Sequence, residues 1–270
     1  MSAQRVALVT GASSGIGAET ARRLADAGWI VYAAARRTDR LEQLRGRQVR
    51  PLTMAVTDEA SMTAGVQQVL AEAGRIDALV NNAGYGSYGA VEDVPLSEAR
   101  RQFEVNLFGA ARLVQLVAPG MRERGSGRIV NVSSMGGRFA MPFGAWYHAT
   151  KFALEGFSDA LRQELEPFGV QVVVIQPGAI RTEWGDIAAQ SAIEASGQGP
   201  YAERARRVAE ALEGASGSAP SVVAGAIAKA VTAKRPRVRY AIGLGAKPAT
   251  AAARLLPGRA LDAMIARGIG

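Results

Sequence analysis

Thr10-Gly-Ala-Ser-Ser-Gly-Ile-Gly17 follows the apolar run Val6–Thr10 and leads into helical periodicity over about Ile16–Ala27. Gly11, Gly15 and Gly17 allow a sharp turn and close approach of a pyrophosphate, and the helix start offers free amides and a positive dipole end. Ser13, Ser14 and Ile16 lie in the same turn and are contact candidates. The spacing is G-x-x-x-G-x-G rather than the commoner G-x-G-x-x-G. Taken alone, such a Gly/Ser-rich turn is also compatible with a purely structural role.

Outward from this turn, strand-like runs alternate with helical patterns, which predicts an α/β fold with a doubly wound parallel sheet of about seven strands flanked by helices. The predicted strands are Val6–Thr10, Trp29–Ala35, Val49–Val56, Ala78–Asn81, Arg128–Ser133, Gln171–Gln176 and Val238–Ile242. Helices are predicted over Ile16–Ala27, Thr38–Arg45, Ser61–Ala73, Leu96–Glu123 and from Tyr147 to Glu166, with Asp58 and Ser61 competing to cap the third. Residues 184–220 read as a polar, glycine-rich insertion around one helical piece near Tyr201–Leu212, the kind of segment that forms lids. Ala246–Arg267 reads as helical, interrupted by Pro257-Gly258. With no repeat and no linker, one domain over residues 1–270 is expected.

The composition narrows the chemistry. The 270 residues include no cysteine and one histidine, which removes disulfides, thiolate ligands and a Cys nucleophile and leaves little support for a His-rich metal site. No apolar run reaches the length of a membrane span, and the start leaves no room for a signal peptide, so a cytoplasmic protein is expected. The net charge of +8 is spread over scattered arginines among many acids, and no nucleic-acid partner is expected.

Tyr147 and Lys151 stand four apart, on one face of a helix. A free phenol has a pKa of about 10, and a neighbouring cation is expected to lower it into a range useful for proton exchange. Ser134, thirteen residues upstream, is placed to orient an oxygen beside the phenol, and Ser133 is the competing candidate. His148 is read as a surface or partner-facing residue, because adjacent helix positions point about 100° apart.

Thr10-Gly-x-x-x-Gly-x-Gly17, Asn81-Asn-Ala-Gly84, Asn106, Ser134, Tyr147-x-x-x-Lys151 and Pro177-Gly178 occur in the order and spacing of the short-chain dehydrogenase/reductase family, which the chain resembles over residues 5–182. The resemblance implies a Rossmann-type fold with its cofactor-binding and catalytic core in 5–182, and a substrate lid and C-terminal segment in 183–270. It implies Tyr147 as general acid/base, Lys151 as the cation that lowers its pKa and holds the nicotinamide ribose, Ser134 on the reacting oxygen, and Asn106 anchoring a water. As a bland alternative, Asn106 is a helix-interior polar residue bonding locally. Asn82, Ala83 and Gly84 border the cofactor at the fourth strand. Pro177, Gly178, Ile180 and Thr182 border it at the sixth.

The second strand ends Ala35-Arg36-Arg37, where an NAD-preferring protein usually has an acid for the ribose 2′-hydroxyl. The missing acid and the following Arg36 and Arg37 favour a 2′-phosphate, hence NADP(H) ahead of NAD(H). At the third strand Ala55 stands where similar sequences have an adenine-contacting Asp, leaving the backbone at Val56 to border the ring. The expected activity is carbonyl–alcohol interconversion by hydride transfer, with no metal. An NAD(H)-dependent dehydrogenase of a lipophilic, steroid- or retinoid-like alcohol is the alternative enzyme, and a non-catalytic dinucleotide-sensing regulator the alternative class. Tyr85, Tyr88, Phe139, Met141, Phe143, Trp146 and Trp184 suggest a hydrophobic substrate. Homodimers or homotetramers follow from the resemblance alone.

Overall fold

The structure, a computed structural model, describes residues 4–213 and 216–269. The strands are β1 (Val6–Thr10), β2 (Ile30–Ala35), β3 (Val49–Thr53), β4 (Ala78–Asn81), β5 (Gly127–Val132), β6 (Val170–Pro177) and β7 (Arg239–Ile242). The helices are α1 (Gly15–Asp26), α2 (Thr38–Glu42), α3 (Glu59–Ala73), α4 (Leu96–Phe103), α5 (Gly109–Glu123), α6 (Ala145–Leu165), α7 (Glu183–Ser196), α8 (Ala202–Glu213), α9 (Pro220–Thr232), α10 (Ala246–Leu255) and α11 (Gly258–Ile269). No helix of the described residues is long and apolar enough to cross a membrane.

The strands form one parallel sheet in the order β3-β2-β1-β4-β5-β6-β7. Alternate residues of each strand face opposite sides, and here both sides are apolar, as a sheet covered on both faces requires. Ala7 and Val9 of β1 point into a core shared with Leu24 of α1 and Val223 and Ile227 of α9. Val6 and Leu8 point the other way, toward Val66 of α3, Leu113 of α5 and Leu161 of α6. The chain winds outward from β1 to β3, then returns to the other side of β1 with β4. Ligands of such sheets bind in the crevice at that reversal, beyond the carboxyl ends of the strands. A third apolar cluster lies outside the sheet, joining Tyr88, Phe143 and Tyr147 to Ala188, Ala192 and Val208 of α7 and α8.

Three expectations change. The helix expected over Leu96–Glu123 is interrupted by a π-helical turn, Glu104–Phe108, which carries Asn106. Residues 184–220 are mostly helical: α7 and α8 pack on each other, burying Ala188, Ala192, Ala205 and Val208. Helix α8 matches the helical piece expected near Tyr201–Leu212; α7 is the addition, its small residues looking like loop in the sequence. Gly214 and Ala215 of the same stretch lie outside the described residues. Helix α9 was not anticipated, although Pro220 at its start and Val223, Ile227 and Val231 at four-residue intervals are a legible signal. Asp58 caps α3 by accepting from the Ser61 amide at 3.1 Å, which settles the two cap candidates.

Candidate active site

The glycine turn is fastened to the end of β4 by Thr10 and Asn82. The Thr10 hydroxyl accepts from the amides of Asn82 (3.0 Å) and Ala83 (3.1 Å). Asn82 Nδ2 donates back to the carbonyls of Thr10 (3.0 Å) and Gly11 (3.3 Å). Asn82 thus shapes the turn with its side chain. A β-carbon on Gly17 would stand 2.3 Å from the Gly11 carbonyl oxygen, so only glycine lets α1 begin this close to the turn. Ser14 precedes α1 with no side-chain cap bond, leaving the first-turn amides without that partner. Ile16 packs on the core below.

Of the two arginines after β2, Arg37 is the one that reaches the turn: it donates to Ser13 Oγ at 3.0 Å and Ser14 Oγ at 3.1 Å. Arg36 is exposed and makes no side-chain hydrogen bond among the described residues; its charge acts on Tyr85 instead. Arg36 and Arg37 point apart, as consecutive residues leaving a strand do. Val56 is half-buried with its carbonyl against Gly109, where a β-carbon would stand 2.3 Å from the oxygen. Pro177 closes β6, and Gly178 lies so close to the Leu244 carbonyl that a β-carbon would stand 2.0 Å from it. Ile180 bridges Ser218, and Thr182 caps α7 with its side chain over Gly15.

Tyr147 and Lys151 leave the first two turns of α6 and are both buried. Tyr147 stands beside Ser134, whose hydroxyl accepts from the Gly136 amide at 3.0 Å. The Ser134 hydroxyl thereby caps the turn Met135–Gly137. Ser133 is buried with its hydroxyl unpartnered among the described residues. Lys151 Nζ donates to the Val132 carbonyl at 3.0 Å. Asn106 donates to the Tyr85 carbonyl (2.9 Å) and Thr150 Oγ1 (3.0 Å) and accepts from the Tyr85 amide (3.0 Å). A point one β-carbon out from Gly84 lies 3.1 Å from Asn106 Oδ1 and 3.6 Å from Lys151 Nζ, so Gly84 keeps open a notch between the two.

The expected lowering of the Tyr147 pKa is not found. Burial pushes the phenol up to about 12, with the neighbouring Ser134 hydroxyl opposing. The ammonium lies 5.9 Å from the ring centroid and is engaged by Val132, so desolvation wins. Burial also pulls Lys151 down to about 8, with the charge of Glu155 opposing. The pair near neutrality is a neutral phenol beside a charged ammonium.

His148 is buried, not on the surface. Its Nδ1 is 2.8 Å from the Gly136 carbonyl, and since a carbonyl only accepts, that nitrogen carries the proton. The ring thereby braces the turn that presents Ser134. Burial lowers the His148 pKa below its usual 6.5. The folded state thus resists protonation, so stability present above pH 6.5 is lost as pH falls below it. The fall in Tm between about pH 7 and about pH 5 should be smaller in His148→Gln than in the unsubstituted protein. An equal fall in both would show that His148 does not contribute.

The aromatic expectations divide. The Trp184 ring lies 5.0 Å from that of Tyr147 and 5.9 Å from that of Tyr88, and Phe143 closes the same cluster. Phe143 has φ 65°, a strained value for a side-chain-bearing residue that recurs at functional sites. Trp146 turns away into a hollow with Leu96, Phe103 and Phe108, and the Tyr85 hydroxyl bonds Glu98. Phe139 packs against His148, and Met141 is half-buried outside the cluster.

Together these residues suit a dinucleotide. Hydroxyls and Arg37 stand at one end of the glycine turn, a glycine notch beside an ammonium lies in the middle, and a neutral phenol stands beyond. The family model described as short chain dehydrogenase matches residues 5–191. The chain belongs to the short-chain dehydrogenase family. This short-chain dehydrogenase is 38% identical over 242 residues to the 3-ketodihydrosphingosine reductase of Bacteroides thetaiotaomicron, covering 88% of each chain. It is 33% identical over 270 residues to the NADPH-dependent 3-dehydrocapnine reductase of Ornithobacterium rhinotracheale, covering 96% of this chain and 95% of that one. The solved short-chain dehydrogenase from Streptomyces avermitilis matches with a TM-score of 0.83 and 34% identity, over 99% of this chain and 95% of that one. The protein is an oxidoreductase of the alcohol–carbonyl type that uses a nicotinamide dinucleotide.

Proposed function

We propose that this short-chain dehydrogenase is an NADP(H)-dependent carbonyl reductase, interconverting a hydrophobic ketone or aldehyde and its alcohol. The observation that carries the reading is the grouping of buried Tyr147 with Ser134, Lys151 and Asn106 around the glycine notch at Gly84, at the carboxyl ends of the strands. When bound, NADPH supplies the hydride. Ser134 Oγ and the Tyr147 hydroxyl bracket the substrate oxygen. Tyr147, kept neutral by burial, hands it the proton as negative charge develops there. Lys151 stabilises the phenolate left behind and holds the ribose hydroxyls, and Asn106 anchors a water leading to Lys151. Near neutrality the protonated phenol suits reduction. Tyr88, Phe143 and Trp184 form the apolar wall that favours a hydrophobic substrate.

NADP(H) is supported by Ala35 in place of an acid and by Arg37 over Ser13 and Ser14. Arg37→Ala should lower kcat/KM for NADPH by about ten- to a hundredfold, the worth of a charge-assisted hydrogen bond, and leave NADH within about twofold. The reading as a whole is tested by following NADPH absorbance with a panel of ketones, aldehydes and alcohols of increasing chain length. No turnover across the panel would sink the activity, and NADH serving as well as NADPH would sink the cofactor choice. The chain acts as one domain in this reading. Self-association through α4 to α6 belongs to it as well, supported by the exposed apolar side chains of Leu96, Phe108 and Phe152.

A further inference from the structure

Glu183, the first residue of α7, belongs to none of the motifs above. Its carboxylate accepts from Arg37 at 3.2 Å and from Arg40 at 2.5 Å. Arg37 holds Ser13 and Ser14 at the same time, so an acid 146 residues downstream shares the cation that reaches the glycine turn. Beside this clasp is an open cleft of about 340 Å³, bordered by Ser13, Ser14, Arg40, Arg181, Thr182 and Glu183. Arg22 in the same cleft is paired with Glu19, and Arg181 makes no side-chain hydrogen bond among the described residues. One carboxylate thus faces two guanidinium groups, with cationic charge left over.

The same turn of chain reaches the reaction centre. Thr182 lies over Gly15, where a β-carbon would come within 3.0 Å of its methyl. Trp184, the next residue after Glu183, has its ring 5.0 Å from that of Tyr147. Three consecutive residues therefore touch the arginines, the glycine turn and the phenol.

We infer that Glu183 holds the place of the cofactor's 2′-phosphate, competing with it for Arg37 and Arg40, and that its displacement loosens the first turn of α7 and shifts Trp184 on Tyr147. The inference rests on the NADP(H) reading. A phosphate monoester carries close to two negative charges near neutrality and three acceptor oxygens, so it outbids a single carboxylate for two guanidinium groups. The three partners are all more than a third exposed, which keeps each pair weak and the exchange reversible. A ribose with a free 2′-hydroxyl offers the arginines no such replacement and leaves the clasp shut. Selectivity thus comes from which ligand opens it.

The test is calorimetric titration of the wild-type protein and Glu183→Gln with 2′,5′-ADP and with 5′-ADP, which differ in the 2′-phosphate alone. Wild type should prefer 2′,5′-ADP. The substitution should tighten 2′,5′-ADP about three- to tenfold, the combined worth of two exposed ion pairs, and leave 5′-ADP within about twofold. Unchanged or weakened 2′,5′-ADP binding in Glu183→Gln overturns the inference. If wild type shows no preference and the variant acquires one, the NADP(H) reading falls while the competition stands; if neither shows a preference, both fall. A second measurement leaves Glu183 in place: saturating 2′,5′-ADP should change tryptophan emission in wild type but not in Trp184→Phe, and 5′-ADP should change neither. Equal responses to the two ligands overturn the link to Trp184.

Discussion

Tyr147→Phe is expected to lower turnover by about 10²–10⁴-fold, the usual worth of a positioned general acid. The substitution removes one oxygen and keeps the ring, so the contacts with Tyr88 and Trp184 survive. Ser134 keeps its bond from the Gly136 amide and stays in place. NADPH affinity should therefore remain within about twofold, while single-turnover oxidation of bound NADPH by a ketone collapses. The pair of measurements separates chemistry from binding. A variant that reduces ketones within about tenfold of wild type would refute the proton-transfer role, because a purely packing role predicts no such loss.

Gly17→Ala is the second large effect. The new methyl would meet the Gly11 carbonyl oxygen at 2.3 Å and Asn82 Nδ2 at 2.6 Å, distances that no real contact adopts. Both neighbours are held by the Thr10–Asn82 bonds, so α1 has to move. Overpacking of this kind costs about 1–3 kcal/mol of stability. The larger effect falls on the cofactor, because the first-turn amides of α1 shift with the helix; NADPH binding should weaken by more than about tenfold. Gly156→Ala is the control: it lies in α6, nothing approaches its β-carbon within 4 Å, and it should be neutral or slightly stabilising. Equal NADPH affinities in the two variants would refute the glycine-turn argument.

Much of the site was legible because its motifs are local. A glycine turn, a Tyr and Lys one helical turn apart and a strand ending in Asn-Ala-Gly each declare their backbone in a few residues. Their convergence follows from strand order: β1, β4, β5 and β6 are neighbours and all end on one side of the sheet. Less visible were features set by packing across distance. The π-turn around Asn106 is invisible to helical periodicity, since the flanking pattern continues through it. His148 looked exposed because its neighbour Tyr147 points inward, but Gly136 and Gly144 both leave room for the ring. Glu183 carried no motif at all, and its arginine partners come from the far side of the glycine turn.

By itself the sequence determined the alternation of strands and helices, the phosphate turn and the spacing of the phenol and ammonium, because backbone preference and side-chain period are short-range properties. Tertiary structure alone decided which arginine reaches the turn and that the stretch before α8 folds as helix α7 and packs on it. It also decided that Tyr147 is raised rather than lowered: a pKa depends on the solvent a group loses as much as on the charge beside it, and burial exists only once the chain has folded.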